Sequence, residues 1–189
     1  MASEDLTPTP NALGTVLALI QRLRGENGCP WDRKQTPQSL SVYLIEEMYE
    51  LVEAVAAGDA RAVCEELGDV VFQVLFMAEL FAECGAFDLE GVVERNVAKM
   101  IRRHPHVWGD VNAEDEDAVK INWDRLKQEE KNHTRTSRLD GVSKALPALS
   151  QAFSYQDRPA RVKFDWDTIE PVIAKVHEEI GELAEAEDA

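Results

Sequence analysis

Cysteine is scarce and unpaired. Cys29, Cys64 and Cys84 are odd in number and show no paired spacing, which excludes a disulfide framework or a zinc site as the organising device. Reduced thiols in a cytoplasmic protein are the expectation. His104, His106, His133 and His177 have no metal-ligand spacing with those cysteines, and no Ser, His or Cys constellation suggests a covalent nucleophile. Positive charge is also short: 20 Lys and Arg stand against 36 Asp and Glu, a net charge of −16. Such a surface repels nucleic acid backbones and anionic lipid, so neither is an expected partner. Long apolar runs are missing, because Gln73 and Glu79 interrupt Val70 to Ala82, so no transmembrane span is expected. Met1 to Pro10 is polar with two prolines and lacks the basic and apolar regions of a signal peptide. Strand alternation is absent too, and the fold class read from the pattern is all-α.

What is present suits a packed bundle. Hydrophobic residues make up 44% and charged residues 30% of 189 residues, enough for one domain, or one plus part of a second. Thr9-Pro10 and Thr36-Pro37 each read as a helix cap followed by a first-turn proline. Helices are expected from Pro10 to the glycines at 25 and 28, from Pro37 to about Ala57, and from about Ala60 to Cys84. Further helices are expected over about Leu89 to Arg103, Ala118 to Lys131, Pro147 to Asp157 and Asp167 to Ala189. His104 to Asp117 reads as a loop and Asn132 to Gly141 as a polar linker. The third helix is apolar almost all round from Val70 to Phe81, which suggests that part of it lies in a subunit interface.

The second and third helices carry the chemistry. Glu47-x-x-Glu50 and Glu66-x-x-Asp69 each place two carboxylates on one side of a helix. At about 100° per residue, Leu44, Met48, Leu51 and Val55 define an apolar stripe on one helix, and Val63, Leu67, Val70 and Val74 on the next. Both acidic pairs fall at matched offsets beside these stripes. Two helices joined by a short turn are expected to be antiparallel neighbours, which would let four carboxylates converge. Like charges that close repel strongly unless a hard cation sits among them. Oxygen-only ligands suit Mg²⁺, Mn²⁺ or Ca²⁺, and the lack of Glu-x-x-His argues against a ferritin-like di-iron site. Read alone, acidic pairs three apart are equally the mark of a solvated helix face.

These four residues, with Gly28-Cys29-Pro30-Trp31-Asp32, the segment Glu66 to Val74 and Arg102-Arg103-His104-Pro105-His106-Val107-Trp108, resemble the MazG family of all-α nucleoside triphosphate pyrophosphohydrolases. The resemblance covers about residues 11 to 131. It implies a MazG-like helical bundle that assembles as a homodimer or higher oligomer. It also implies cleavage of nucleoside triphosphates to monophosphate and pyrophosphate. Glu47, Glu50, Glu66 and Asp69 would be the catalytic residues and would hold Mg²⁺, or Mn²⁺ in its place. Asn96, Lys99, Arg102 and Arg103 form the most concentrated basic spot of the chain and would grip phosphates, although a basic helix end also offsets the helix dipole. Trp123 and Lys127 match a Trp…Lys pattern of the family, with Trp123 either stacking on the base or filling the core. Trp31 carries the same two readings, as substrate contact or loop anchor. The alternative function is a catalytically weak nucleotide-binding or dimerisation module.

A partial repeat closes the sequence. Val176 to Ala186 parallels Leu44 to Ala54, with Glu179-x-x-Glu182 in place of the first acidic pair. Trp166-Asp167 likewise parallels Trp31-Asp32. The expected organisation is a pyrophosphohydrolase domain over 1–131, a linker over 132–146 and an incomplete second copy over 147–189.

Overall fold

A computed structural model describes residues 12–109, 115–130, 137, 139–160 and 163–187. Every regular element among the described residues is helical, as the missing strand alternation predicts. The chain divides into two compact units, residues 1–100 and 101–189.

The first unit is built around one central helix. Helix α1 (Ala12–Arg24) and helix α2 (Pro37–Ala57) both pack on α3 (Ala60–Glu83), and a short 3-10 turn over Asp32–Lys34 lies against α1. Ile20, Leu40, Leu75, Phe76 and Leu80 form the buried core, flanked by Val16, Val71, Phe72, Met77 and Leu89. Helix α4 (Leu89–Arg103) follows, its start held by Asp88 Oδ1 accepting from the Gly91 N–H at 2.8 Å.

Local chemistry sets these helices precisely enough to build a site. At the start of α2, Thr36 Oγ1 accepts from the Ser39 N–H while Ser39 Oγ accepts from the Thr36 N–H, and Pro37 presets the first turn. Gly58 ends α2 in the left-handed region (φ 71°, ψ 19°) with its N–H returned to the Ala54 and Val55 carbonyls. Asp59 then caps α3 through its side chain, which accepts from the Arg61 and Ala62 N–H groups. A stop and a start on adjacent residues leave no slack, so α2 and α3 form a tight antiparallel hairpin. Glu47 and Asp69 therefore stand at nearly equal distances along their helices from the turn, and so do Glu50 and Glu66.

The loop between α1 and α2 is held from below by Arg24. Its Nε and Nη2 donate to Glu83 at 2.5 and 2.6 Å, and its Nη1 donates to the Asp32 carbonyl at 2.6 Å. The guanidinium also lies 5.6 Å from the centre of the Phe76 ring. Gly28 is required by close approach: a Cβ there would fall 2.1 Å from the Leu23 carbonyl oxygen.

One expectation about apolar faces needs correction. Met48, Val55, Leu67 and Val74, read as core-facing, are 44%, 60%, 47% and 47% exposed. Within this chain α3 turns Leu75, Phe76, Ala78 and Leu80 inward, so most of its second half is covered by the core.

The second unit begins with the last turn of α4. The expected loop 104–117 instead opens with a four-residue helix, α5 (Pro105–Trp108), started by its proline. Helix α6 (Glu116–Glu129), α7 (Ala148–Ala160) and α8 (Ile169–Glu187) follow. Arg158 of α7 donates to the carbonyls of Asp140 and Gly141, both at 3.0 Å, and so fixes the turn before it. Most of the expected linker segment Asn132 to Gly141 lies outside the described residues.

Candidate metal centre

The α2–α3 hairpin brings three of the four expected acids together. One carboxylate oxygen from each of Glu47, Glu66 and Asp69 lies within 4.8 Å of the other two. Glu47 and Glu66 are half-buried and Asp69 is exposed. Burial pushes the Glu47 carboxyl above its ordinary range, with Asp69 and Glu50 adding to the push, while a hydrogen bond from Gln73 opposes it. Glu66 is raised in the same way, by burial first and then by Glu50 and Asp69. Glu50 stands outside the three-way oxygen cluster yet acts on both of its half-buried members through its charge. The crowding is what a cation relieves. Ligands on opposite sides of Mg²⁺ stand about 4 Å apart, so the 4.8 Å span of these oxygens is of the size that such an ion would need. The donors are all hard oxygens, which fits Mg²⁺ or Mn²⁺ and does not select soft metals.

The basic residues are arranged differently. On α4, Asn96 is exposed and Lys99 half-buried. Arg102 and Arg103 converge on one carboxylate, that of Glu130 just past α6. Arg102 donates from Nε and Nη2 to Glu130 Oε1 at 2.9 and 2.6 Å, and Arg103 Nη2 donates to Oε2 at 2.5 Å. Arg103 is buried, with its guanidinium 5.4 Å from the centre of the Trp123 ring. His104 meets the same ring at 4.8 Å. Trp123 is thus half-buried under charged and aromatic neighbours, and Lys127, one turn on, is half-buried too. Trp31 is 53% exposed and meets Tyr43 edge-on at 5.5 Å.

Known proteins give the frame for these residues. The model of the MazG nucleotide pyrophosphohydrolase domain matches residues 35–108, which include all four acids and the basic end of α4. The nucleoside triphosphate pyrophosphohydrolase of Escherichia coli (strain K12) is 43% identical over 175 residues, 92% of this chain and 66% of that protein. The chain belongs to the MazG family. A second relative, from Thermotoga maritima, is named nucleoside triphosphate pyrophosphohydrolase/pyrophosphatase MazG and is 43% identical over 92% of this chain and 66% of its own length. The uncharacterized protein YabN of Bacillus subtilis is 50% identical over 142 residues, 75% of this chain and 29% of that protein. The chain therefore spans just under two thirds of the first two relatives.

Within this MazG chain, sequence reasoning missed three side chains. Glu130 shares no helical period with the arginines that it bridges. Arg24 acts through a bidentate pair to Glu83, 59 residues away. Gln73 did leave a signal: it is a lone polar residue in an apolar run, one turn after Asp69. In the C-terminal copy, Lys175 on α8 pairs with Glu178 at 2.7 Å and with Glu179 at 3.0 Å, so Glu179 shares one lysine of its own helix with Glu178.

Proposed function

We propose that this chain hydrolyses nucleoside triphosphates to monophosphate and pyrophosphate with the help of a divalent cation, Mg²⁺ or Mn²⁺. The carrying observation is the cluster of Glu47, Glu66 and Asp69 oxygens on facing helices. The names of the E. coli and T. maritima relatives support the same reading. Glu47, Glu66 and Asp69 hold the ion, with Glu50 completing the negative field. The ion, when bound, offsets the triphosphate charge and draws electron density from the attacked phosphorus. Water adds at the α-phosphorus, the bond to the bridging oxygen breaks, and the proton of the water passes to a carboxylate or to solvent. Glu50, the acid outside the oxygen cluster, is the proposed acceptor of that proton.

Asn96, Lys99, Arg102, Arg103 and Lys127 are proposed to bind phosphates, and Trp31 and Trp123 to contact the base. The proposed catalytic domain is 1–131, joined by 132–146 to the opening of a second copy over 147–189. We also propose a cytoplasmic location and a homodimeric or higher assembly. No helix among the described residues is long and apolar enough to cross a membrane. Unpartnered apolar residues on the hairpin support the assembly: Met48, Val52 and Val55 on α2, with Leu67 and Val74 on α3, are each 44% to 60% exposed.

The test is direct. The protein is incubated with each common nucleoside triphosphate and Mg²⁺, and monophosphate and pyrophosphate are measured. Glu50→Gln and Asp69→Asn are each expected to cut turnover by about 100-fold or more, with an unchanged circular dichroism spectrum. Full activity in both variants would refute the site.

A further inference from the structure

Two arginine–carboxylate clamps tie distant parts of this chain together, and they are built differently. Arg24 meets Glu83 fork to fork, with Nε on Oε1 at 2.5 Å and Nη2 on Oε2 at 2.6 Å, which leaves Nη1 for the Asp32 carbonyl. At the end of α4, two guanidinium groups share the single carboxylate of Glu130. Arg103 takes it side-on, from Nη2 to Oε2 at 2.5 Å and from Nε to Oε1 at 3.4 Å. Arg102 is left without a second oxygen and directs both Nε and Nη2 at Oε1, at 2.9 and 2.6 Å. Oε1 therefore receives three N–H groups, more than its lone pairs match, while Oε2 receives one.

The charges are mismatched in the same sense, two cations to one anion. A group with three terminal oxygens and more than one negative charge corrects both faults. It offers each guanidinium a pair of oxygens, with one shared, and it neutralises both. The terminal phosphoryl group of a polyphosphate is such a group. The present occupant is also free to leave. Glu130 stands just past the end of α6, and its side chain swings about its own bonds without breaking a helix hydrogen bond. Arg102 opens to solvent, its side chain 54% exposed, whereas Arg103 is held against Trp123. Trp123, Lys127 and Glu130 follow at four- and three-residue spacing on one side of α6, so a further cation belongs to the same side.

We propose that Glu130 is a built-in competitor at a phosphate site: its carboxylate occupies the Arg102–Arg103 pair until the terminal phosphoryl group of a polyphosphate displaces it. The inference rests on the reading of these arginines as phosphate ligands and adds the group that regulates them. Displacement makes the grip selective. A singly charged anion offers the arginines nothing that Glu130 does not already supply at a far higher effective concentration. A polyphosphate offers the missing oxygen and the missing charge.

The probe is inorganic pyrophosphate, titrated calorimetrically into the full chain with a chelator present, so that no metal contributes. Glu130→Gln keeps the shape and removes the charge. It is expected to bind pyrophosphate about tenfold or more tightly than wild type, because the arginines are no longer held by a competitor. Adding Arg102→Gln to that variant is expected to cancel the gain; a gain that survives it overturns the inference, since the anion then binds elsewhere. Equal or weaker binding in Glu130→Gln also overturns it and makes Glu130 a clamp that only ties α6 to α4. In that event Arg102→Gln alone separates two failures. Binding weaker than wild type leaves the phosphate reading standing without the competitor, and unchanged binding removes both. Where Glu130→Gln does not fold, Glu130→Asp carries the test by retracting the carboxylate by one carbon. It is expected to bind pyrophosphate severalfold more tightly, and equal or weaker binding overturns the inference. ATP titrated under the same conditions names the source of the phosphoryl group. A gain matching that of pyrophosphate places the triphosphate of a substrate there, and a gain with pyrophosphate alone places the free anion there.

Discussion

Glu130 answers two guanidinium groups with one carboxylate, and its ionisation shows the strength of the arrangement. Hydrogen bonding from Arg103, with Arg102 behind it, holds the carboxyl at about 2, against an ordinary 4.5. A depressed acid stabilises the fold above its unfolded value and gives that stability up as pH falls through the folded value. The contribution is therefore complete above about pH 5 and is lost between 4.5 and 2. Glu130→Gln is expected to cost about 1 kcal/mol near neutrality, discounted because the Arg102 side chain is 54% exposed. Urea titrations of both proteins at descending pH should show the gap closing below about 4.5; a gap constant down to pH 3 would contradict the pairing. A phosphate that takes these two arginines must first displace Glu130. The arginines were legible in the sequence as a basic cluster at a helix end. Their carboxylate was not, because it comes from 28 and 27 residues downstream and no local period connects them.

At the scale of elements, two glycines do different work and should fail differently. Gly58 supplies a left-handed turn in open space, with nothing within 4 Å of a Cβ placed there. Gly58→Ala therefore bears only the conformational cost, about 1 kcal/mol. Gly28 is blocked by backbone, with the Leu23 carbonyl oxygen at 2.1 Å from a Cβ. Gly28→Ala must displace the loop or the end of α1, and is expected to cost about 2–4 kcal/mol. Thermal melts of the two variants check the ranking; equal losses would contradict it. The hairpin itself was readable from Thr36-Pro37 and Gly58-Asp59, since caps and breakers are local chemistry. The four-residue α5 was not, because one turn carries no periodicity. The stripes beside Glu47 and Glu66 were found by period, yet Met48, Val55, Leu67 and Val74 proved half-exposed. A helical wheel says which side is apolar; which neighbour covers it depends on packing, and here α1 takes the opposite side of α3.

For the whole molecule, that uncovered side is the strongest structural argument for a second copy. Met48, Val52 and Val55 share one flank of α2, and Leu67 and Val74 the matching flank of α3, because the helices are antiparallel. A single chain with a −16 charge has every reason to stay apart from its copies through long-range repulsion, so a paired state needs a strong apolar contact to hold it. Burying one valine side chain contributes about 1.5 kcal/mol or more, and a two-fold interface counts each residue twice. Val55 is 60% exposed, so Val55→Asp leaves the core of the chain untouched while placing a charge in the contact from both sides. The variant is expected to keep its helical circular dichroism and to weaken self-association by about 100-fold or more. Light scattering behind size exclusion, at protein concentrations where wild type runs as an oligomer, would then report the monomer mass. An unchanged oligomer in Val55→Asp would mean that copies meet elsewhere, on the stripe of Val93, Val97 and Ile101 along α4, which is 44% to 51% exposed. The exposed flank of the acidic hairpin would in that case face solvent, and Glu47 and Glu66 would keep no more burial than the single chain provides.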